Sequence, residues 1–209
     1  MATYVDGLYK GTARGIGGKV NVEAVIEGGQ LVDLVLARLK ETSGIGLDAG
    51  PIVAQNIVAA GGVEGVDGLA GCTVTSNAII SATEQALAAA EGGYNDGTFA
   101  GTARGIGGQV NVEATFEAGK LADFKLTRLK ETSGIGLDAG PLVANAILEA
   151  GTYEGVDGIA GCTVTSNAIL QAAQMAFEAA SGAKAYEDYL AEQEKASKYV
   201  RRACRAFTE

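Results

Sequence analysis

Two short strings hold most of the side chains with chemistry to offer. Gly71–Asn77 reads GCTVTSN and returns unchanged at Gly161–Asn167. In each copy a cluster of hydroxyl and amide groups (Thr73, Thr75, Ser76 and Asn77, or Thr163, Thr165, Ser166 and Asn167) stands directly before an apolar run. A helix starting there presents free backbone N–H groups and the positive end of its dipole, a natural seat for a phosphate. The same side chains are the usual helix caps, so a capped terminus with no ligand also accounts for the string. Cys72 and Cys162 either pack as small apolar groups or, close to a helix N-terminus, become acidic enough for redox or bond-forming chemistry. The second string, ETSGIG, runs from Glu41 through Thr42, Gly44 and Ile45, and again from Glu131 through Thr132, Gly134 and Ile135. As a loop entering a helix, it uses its glycines for backbone angles that other residues avoid. GxxxxGK[ST] is absent and GIGG does not match GxGxxG, so neither common nucleotide-binding loop is present. Asp67 and Asp157 open DG turns, and Arg14 and Arg104 either meet a phosphate or point to solvent.

Composition narrows the chemistry. The chain has 209 residues and no His, which removes His-ligated zinc or haem, the Ser-His-Asp triad and the commonest general base near neutral pH. No metal site is expected, and no side chain stands out as catalytic. Cys72, Cys162 and Cys204 are odd in number and far apart, so they form neither a disulfide framework nor a CxxC motif, and the compartment is not legible from them. With 16 basic and 25 acidic residues the net charge is −9, which disfavours nucleic acid and anionic lipid. No stretch is apolar enough for a membrane span, and MATYVDGLYK lacks the regions of a signal peptide.

The elements that must position these residues come in duplicate. DGLYKGTARGIGGKVNVEAVIEGG from Asp6 returns as DGTFAGTARGIGGQVNVEATFEAG from Asp96, LKETSGIGLDAGP from Leu39 returns from Leu129, and GCTVTSNAI from Gly71 returns from Gly161. Two copies are too few for a solenoid, so the expected organisation is a domain over 1–92, a second over 96–182 joined through Gly93, Tyr94 and Asn95, and a tail over 183–209. Either bound ligand or packing between the halves would help units this small.

Within one unit, Val20, Val22, Ala24 and Ile26 alternate as in a half-buried strand, and Leu31–Leu39 reads as a second strand joined to it through Gly28 and Gly29. TARGIGG is expected to add another strand. Pro51 suits the first turn of a helix over Ile52–Ala60, with a left-handed stop at Gly61. Thr75, Ser76 or Asn77 then caps a longer helix whose apolar face carries Ile79, Ala82, Ala86, Leu87 and Ala90. The expected class is α+β: two tandem repeats, each a small antiparallel sheet with packed helices, followed by an amphipathic C-terminal helix that docks on a flanking domain or a partner.

DGLAGCTVTSN resembles the flavinylation motif of the FMN-binding domain family, close to DGxSGATxTS, found in the C and G subunits of the sodium-pumping NADH:quinone oxidoreductase and Rnf complexes. The opening DGxYxGTARGxGG, the hairpin and an ETSGIG loop close to the family's ETPGIG extend the likeness over nearly all of each unit. Ala70 and Ala160 stand where the family has Ser, and Cys72 and Cys162 where it has Ala. The resemblance implies that a separate flavin transferase, with FAD as donor, joins FMN through a phosphoester to Thr73 and to Thr163. Gly71, Cys72, Thr75 and Ser76, with Gly161, Cys162, Thr165 and Ser166, would then surround the attachment points. Glu41, Thr42, Gly44 and Ile45, with Glu131, Thr132, Gly134 and Ile135, would lie beside the flavins.

So read, the chain is an electron-transfer flavoprotein with two FMN groups and no substrate chemistry of its own, meeting a redox partner protein or domain. Alternatives are the flavin-bearing relay of a larger fumarate reductase-like enzyme, or a binding module that has lost flavinylation. Relatives are often extracytoplasmic, which requires a signal sequence; as written the chain reads as cytoplasmic.

Overall fold

The computed structural model describes residues 4–39, 45–129 and 135–206, and their side chains apart from 45–48, 135–138 and 196–206. The first repeat runs β1 (Gly7–Arg14), β2 (Lys19–Glu27), β3 (Gln30–Leu39), α1 (Ile45–Ala60) and α2 (Thr73–Gly92). The second repeats it as β4 (Gly97–Arg104), β5 (Gln109–Glu117), β6 (Lys120–Leu129), α3 (Ile135–Ala150) and α4 (Thr163–Ala180), and α5 (Gly182–Ala206) closes the chain. Each sheet is an antiparallel meander with its middle strand in the centre.

The alternation in β2 does what its period requires. Val20, Val22, Ala24 and Ile26 are buried against Ile79, Ala82, Ala86 and Ala90 of α2, and Val53 and Ile57 of α1 complete the core. The second repeat builds a separate core of the same plan, richer in aromatics. α2 lies across β1 and β2 while α1 lies on β3, so both helices cover one face of the sheet. Gly11 permits this approach, because a Cβ there would stand 1.8 Å from the carbonyl oxygen of Ala82; Gly101 and Ala172 repeat the contact.

Three local expectations are corrected. The additional strand is Gly7–Arg14, and the GIGG that follows is a turn, closed by Gly15 N–H to the Gly18 carbonyl at 2.8 Å. α1 begins at Ile45 and not near Pro51, which lies inside it. Pro costs α1 one backbone hydrogen bond, but packing of the adjoining turn on β3 outweighs the local preference: a Cβ at Gly50 would stand 2.7 Å from Leu39. The residue before α2 is Cys72, which makes no side-chain cap, and Thr75, Ser76 and Asn77 lie within the helix. The stop at Gly61 is as expected, with φ +72° and Gly62 N–H to the Ile57 carbonyl at 3.1 Å.

The residues joining the repeats are ordered structure. Tyr94 packs its ring on Phe116 and Phe177, and Asn95 is buried. The Asn95 amide donates to the carbonyls of Leu8 (3.1 Å) and Ala180 (3.4 Å), and its side-chain oxygen accepts from Lys10 N–H (2.8 Å). α5 packs on β1 of the first repeat, where Gly182 covers the Tyr9 ring and Tyr186 bonds Glu27.

Candidate functional site

The described parts of the duplicated strings lie far apart in sequence and at one end of the unit in space. β1 runs antiparallel to α2, with Val5 N–H on the Ala90 carbonyl and Gly11 beside Ala82, so Arg14 lies toward the start of α2. Arg14 pairs with Lys19 and Val20 with Leu39, which brings the Gly15–Gly18 turn and the end of β3 to the same side. α1 and α2 run parallel: Gly50 lies near Leu39 and Ile79, while Val58–Glu64 share a groove with Glu84, Leu87 and Glu91. The TARGIGG turn, the exit of β3 toward residues 40–44, the start of α1 and the start of α2 therefore form one site end. The opposite end, with the Gly28–Gly29 turn and the close of α2, meets the other repeat and is the junction end. The second repeat has the same plan.

At the site end the GCTVTS string has a definite division of labour. Gly71 takes a left-handed turn (φ +84°) and leaves Thr73 exposed as the first residue of α2. The first bond of the turn is Ser76 N–H to the Cys72 carbonyl at 2.9 Å, so the N–H groups of Thr73, Val74 and Thr75 precede the helical ladder. Ser76 is fully buried. Its hydroxyl donates to the Cys72 carbonyl (2.9 Å) and accepts from Leu69 N–H (3.1 Å), tying the DGLAGC loop to the helix, and Ser166 accepts from Ile159 N–H in the same way. Gly68 fits over it, since a Cβ there would stand 3.1 Å from that of Ser76.

The residues present fit a phosphorylated group bonded to Thr73. The hydroxyl is accessible, and the helix start supplies N–H groups and a favourable dipole. Arg14, Lys19 and Arg38 add exposed positive charge at this end of an acidic chain. Arg38 belongs to no recognised string; its retention as Arg128 is the hint the sequence holds.

Thr73, Gly71, Thr163 and Gly161 are exposed, whereas Cys72, Thr75, Ser76, Cys162, Thr165 and Ser166 are buried and face the fold. Neither Cys72 nor Cys162 is in a disulfide. Glu41, Thr42, Gly44, Glu131, Thr132 and Gly134 lie outside the described residues; of Ile45 and Ile135 the backbone is described, opening α1 and α3. Asp67, Asp157, Arg14 and Arg104 do not gather with the hydroxyls in any described hydrogen bond. Among the described residues no group of three or more His, Cys, Asp or Glu forms a metal-binding cluster, and no helix is long and apolar enough to cross a membrane.

Comparison with known proteins agrees with this duplicated end. The pattern of the FMN-binding domain family matches twice, at residues 15–88 and 105–178. The chain is 33% identical to an NADH:acrylate oxidoreductase of Vibrio harveyi over 89 residues, which is 43% of this chain and 9% of that protein. It is 31% identical to a urocanate reductase of Eggerthella lenta over 136 residues, 64% of this chain and 21% of that protein. The matched region thus spans about a tenth to a fifth of these relatives' length.

Proposed function

The chain belongs to the FMN-binding domain family, and from that premise we infer that it is an electron-transfer protein carrying two FMN groups, one at each site end, each joined by a phosphoester to Thr73 or Thr163. The observation that carries the reading is that, in both repeats, the GCTVTS string sets an exposed Thr at the start of a helix. Attachment needs a flavin transferase with FAD as donor. The Thr hydroxyl oxygen bonds to the FMN phosphorus, the pyrophosphate bond of FAD breaks, AMP leaves, and the hydroxyl proton is released to solvent.

The chain's own residues hold and orient. Gly71 and Gly161 turn the backbone so that the Thr faces outward; Ser76 and Ser166 fix the preceding loop; the first N–H groups of α2 and α4 offset phosphate charge. Cys72 and Cys162 pack beneath the attachment point. The resemblance sets residues 41–45 and 131–135 beside the ring, and at the site end β3 finishes and α1 begins, as do β6 and α3. FMN supplies reversible electron uptake, which the protein positions and tunes. The absence of His agrees with a carrier without substrate chemistry of its own.

A second reading, the electron-relay part of a larger reductase, is favoured by the names and length of the relatives. Both readings share the same test. After coexpression with a flavin transferase, intact mass should show two FMN additions; Thr73→Val and Thr163→Val should each remove one, and the double variant should carry none. Covalent flavin on the double variant would overturn the attachment, with Cys72 and Cys162 the first alternatives.

A further inference from the structure

We propose that the two flavin-bearing ends are separate terminals facing away from each other, so that electrons do not pass directly from one repeat to the other within a molecule. The inference rests on the reading of each site end as a flavin seat.

The described contacts between repeats involve the ends opposite the sites and reach as far as Lys10, midway along β1. Gly92, the last residue of α2, lies so close to the Gly119 turn that a Cβ on it would stand 2.0 Å from the Gly119 carbonyl oxygen. Gly182, just past α4, meets Gly7 and Tyr9 at the start of β1, and its N–H bonds the Gly93 carbonyl at 3.2 Å. Asn95, held to Ala180 of its own repeat, hydrogen-bonds Leu8 and Lys10 across the same seam. These approaches tolerate no added side chain at the glycines, which fixes the arrangement.

From that seam α2 and α4 lead outward to Thr73 and Thr163. They have 20 and 18 residues, or about 30 and 27 Å at 1.5 Å per residue. Apart from α5 on β1, no helix or strand of one repeat packs extensively on one of the other among the described residues. Each end therefore meets its own redox partner, and an electron moving between the two flavins must travel through an encounter between molecules.

The test has a structural arm that needs no flavin and an electronic arm that does. Ile16 and Ile106 are exposed in the turns at the two site ends. Spin labels on Ile16→Cys and Ile106→Cys, with the native cysteines replaced (Cys72→Ala, Cys162→Ala, Cys204→Ser), should give a single distance population longer than one α2-sized helix, about 30 Å; a shorter distance overturns the proposal. Small-angle scattering of the unmodified chain guards against misfolding of the labelled one: a radius of gyration clearly above about 17 Å, the value for one compact body of this length, is expected, and that compact value overturns the proposal. In the loaded protein, a reducing pulse leaves flavins with one electron each, and two such flavins disproportionate, one losing its electron and the other gaining it. The decay should slow in proportion to dilution, as in the Thr73→Val and Thr163→Val single-flavin chains. A concentration-independent decay found only in the two-flavin chain overturns the proposal. Failure to load flavin would count against the function alone, since the distance and scattering results stand without it.

Discussion

The site ends and junction ends of the two repeats have had different histories. In β1, Gly11–Arg14 returns unchanged as Gly101–Arg104, while Leu8, Tyr9 and Lys10 become Thr98, Phe99 and Ala100. In α1, Ile45–Pro51 is unchanged, while Ile52, Gln55, Asn56, Val58 and Ala59 all differ in the second copy. α2 keeps Thr73–Ile79 and differs at most positions from Ile80 to Glu91. Recent duplication alone would scatter the differences along each element. Core packing does not account for the pattern either, because exposed residues are among those retained: Ile16 is 69% exposed and Ile106 70%, and Thr73 and Arg14 are exposed as well. A shared requirement at the site ends does account for it. At the junction the two copies do different jobs. Leu8 and Tyr9 are covered by Asn95 and Gly182, whereas Thr98 is exposed and Phe99 half-buried.

The largest test of this contrast is to cut the chain between Gly92 and Gly93. Because each repeat has its own core, both fragments should fold and take up flavin. Fragment 1–92 should be the weaker by about 2–4 kcal/mol, having lost the Asn95 hydrogen bonds and the cover over Leu8 and Tyr9. Thermal melts of each fragment and of their mixture would check this, with the mixture recovering stability. Two molten fragments would mean a shared core.

A smaller effect is expected at the site end. Ser76→Ala leaves Leu69 N–H without its partner at the edge of the buried loop, for a loss of about 1–3 kcal/mol, and flavin loading at Thr73 should fall while loading at Thr163 persists. Ser81→Gln, which copies the second repeat at an exposed position of the same helix, should do neither. Chemical denaturation and intact mass read the two effects.

How much of this was legible in the sequence follows from which forces are local. The strand alternation at Val20–Ile26, the left-handed stop at Gly61 and the buried stripe Ile79–Ala90 are written in period and turn chemistry, and all appear as read. The start of α1 is not, because a local preference at Pro51 yields to packing of Gly50 on Leu39. The cap at Cys72 is not, because Ser76 spends its hydroxyl on the Leu69 and Cys72 backbone, a partnership visible only once the loop is folded. The GCTVTS and TARGIGG strings could be named from sequence, but their meeting at one end depends on β1 running antiparallel to α2. The role of Asn95 was also illegible, since the second copy replaces Val5 by Asn without any motif to mark it.

At the junction, Tyr9 offers a smaller effect with a pH signature. Its ring is fully buried and its hydroxyl has no hydrogen-bond partner among the described residues. Burial, helped by the nearby Asp6 and Tyr94, pushes its pKa up to about 12 from an ordinary 10.0. Between those values the unfolded chain gives up a proton that the fold retains, so stability falls as pH rises through the interval. Tyr9→Phe, the residue the second repeat carries as Phe99, should lessen that slope, to which Tyr4 and Tyr94 also contribute, and add roughly 1 kcal/mol at neutral pH. Urea denaturation at pH 7 and across pH 10 to 12 checks both. An unchanged slope would mean that Tyr9 is not among the groups responsible.

The smallest expected effect is at the hairpin turns, where the copies differ by one methyl group. Gly28 and Gly29 close β2 to β3 with φ of +60° and +74°, the left-handed pair that suits a two-residue hairpin turn. In the second repeat Ala118 takes φ +48° before Gly119 at +71°. An L-residue with a Cβ loses about 1–2 kcal/mol in that region, and part of the gain from relieving it, about 0.4–1 kcal/mol, is offset by the greater freedom of glycine in the unfolded chain. Ala118→Gly should therefore stabilise the second repeat by about 0.5 kcal/mol, and Gly28→Ala should weaken the first by a similar amount. Gly119→Ala must behave otherwise, because its Cβ would stand 2.2 Å from the Ala89 carbonyl oxygen across the seam. Melts of the three variants separate a strained turn from a jammed junction: small opposite shifts for the first two and a large loss for the third. Equal small losses at Gly28 and Gly119 would mean that the seam is looser than these contacts require, and that only turn geometry holds the glycine at 119.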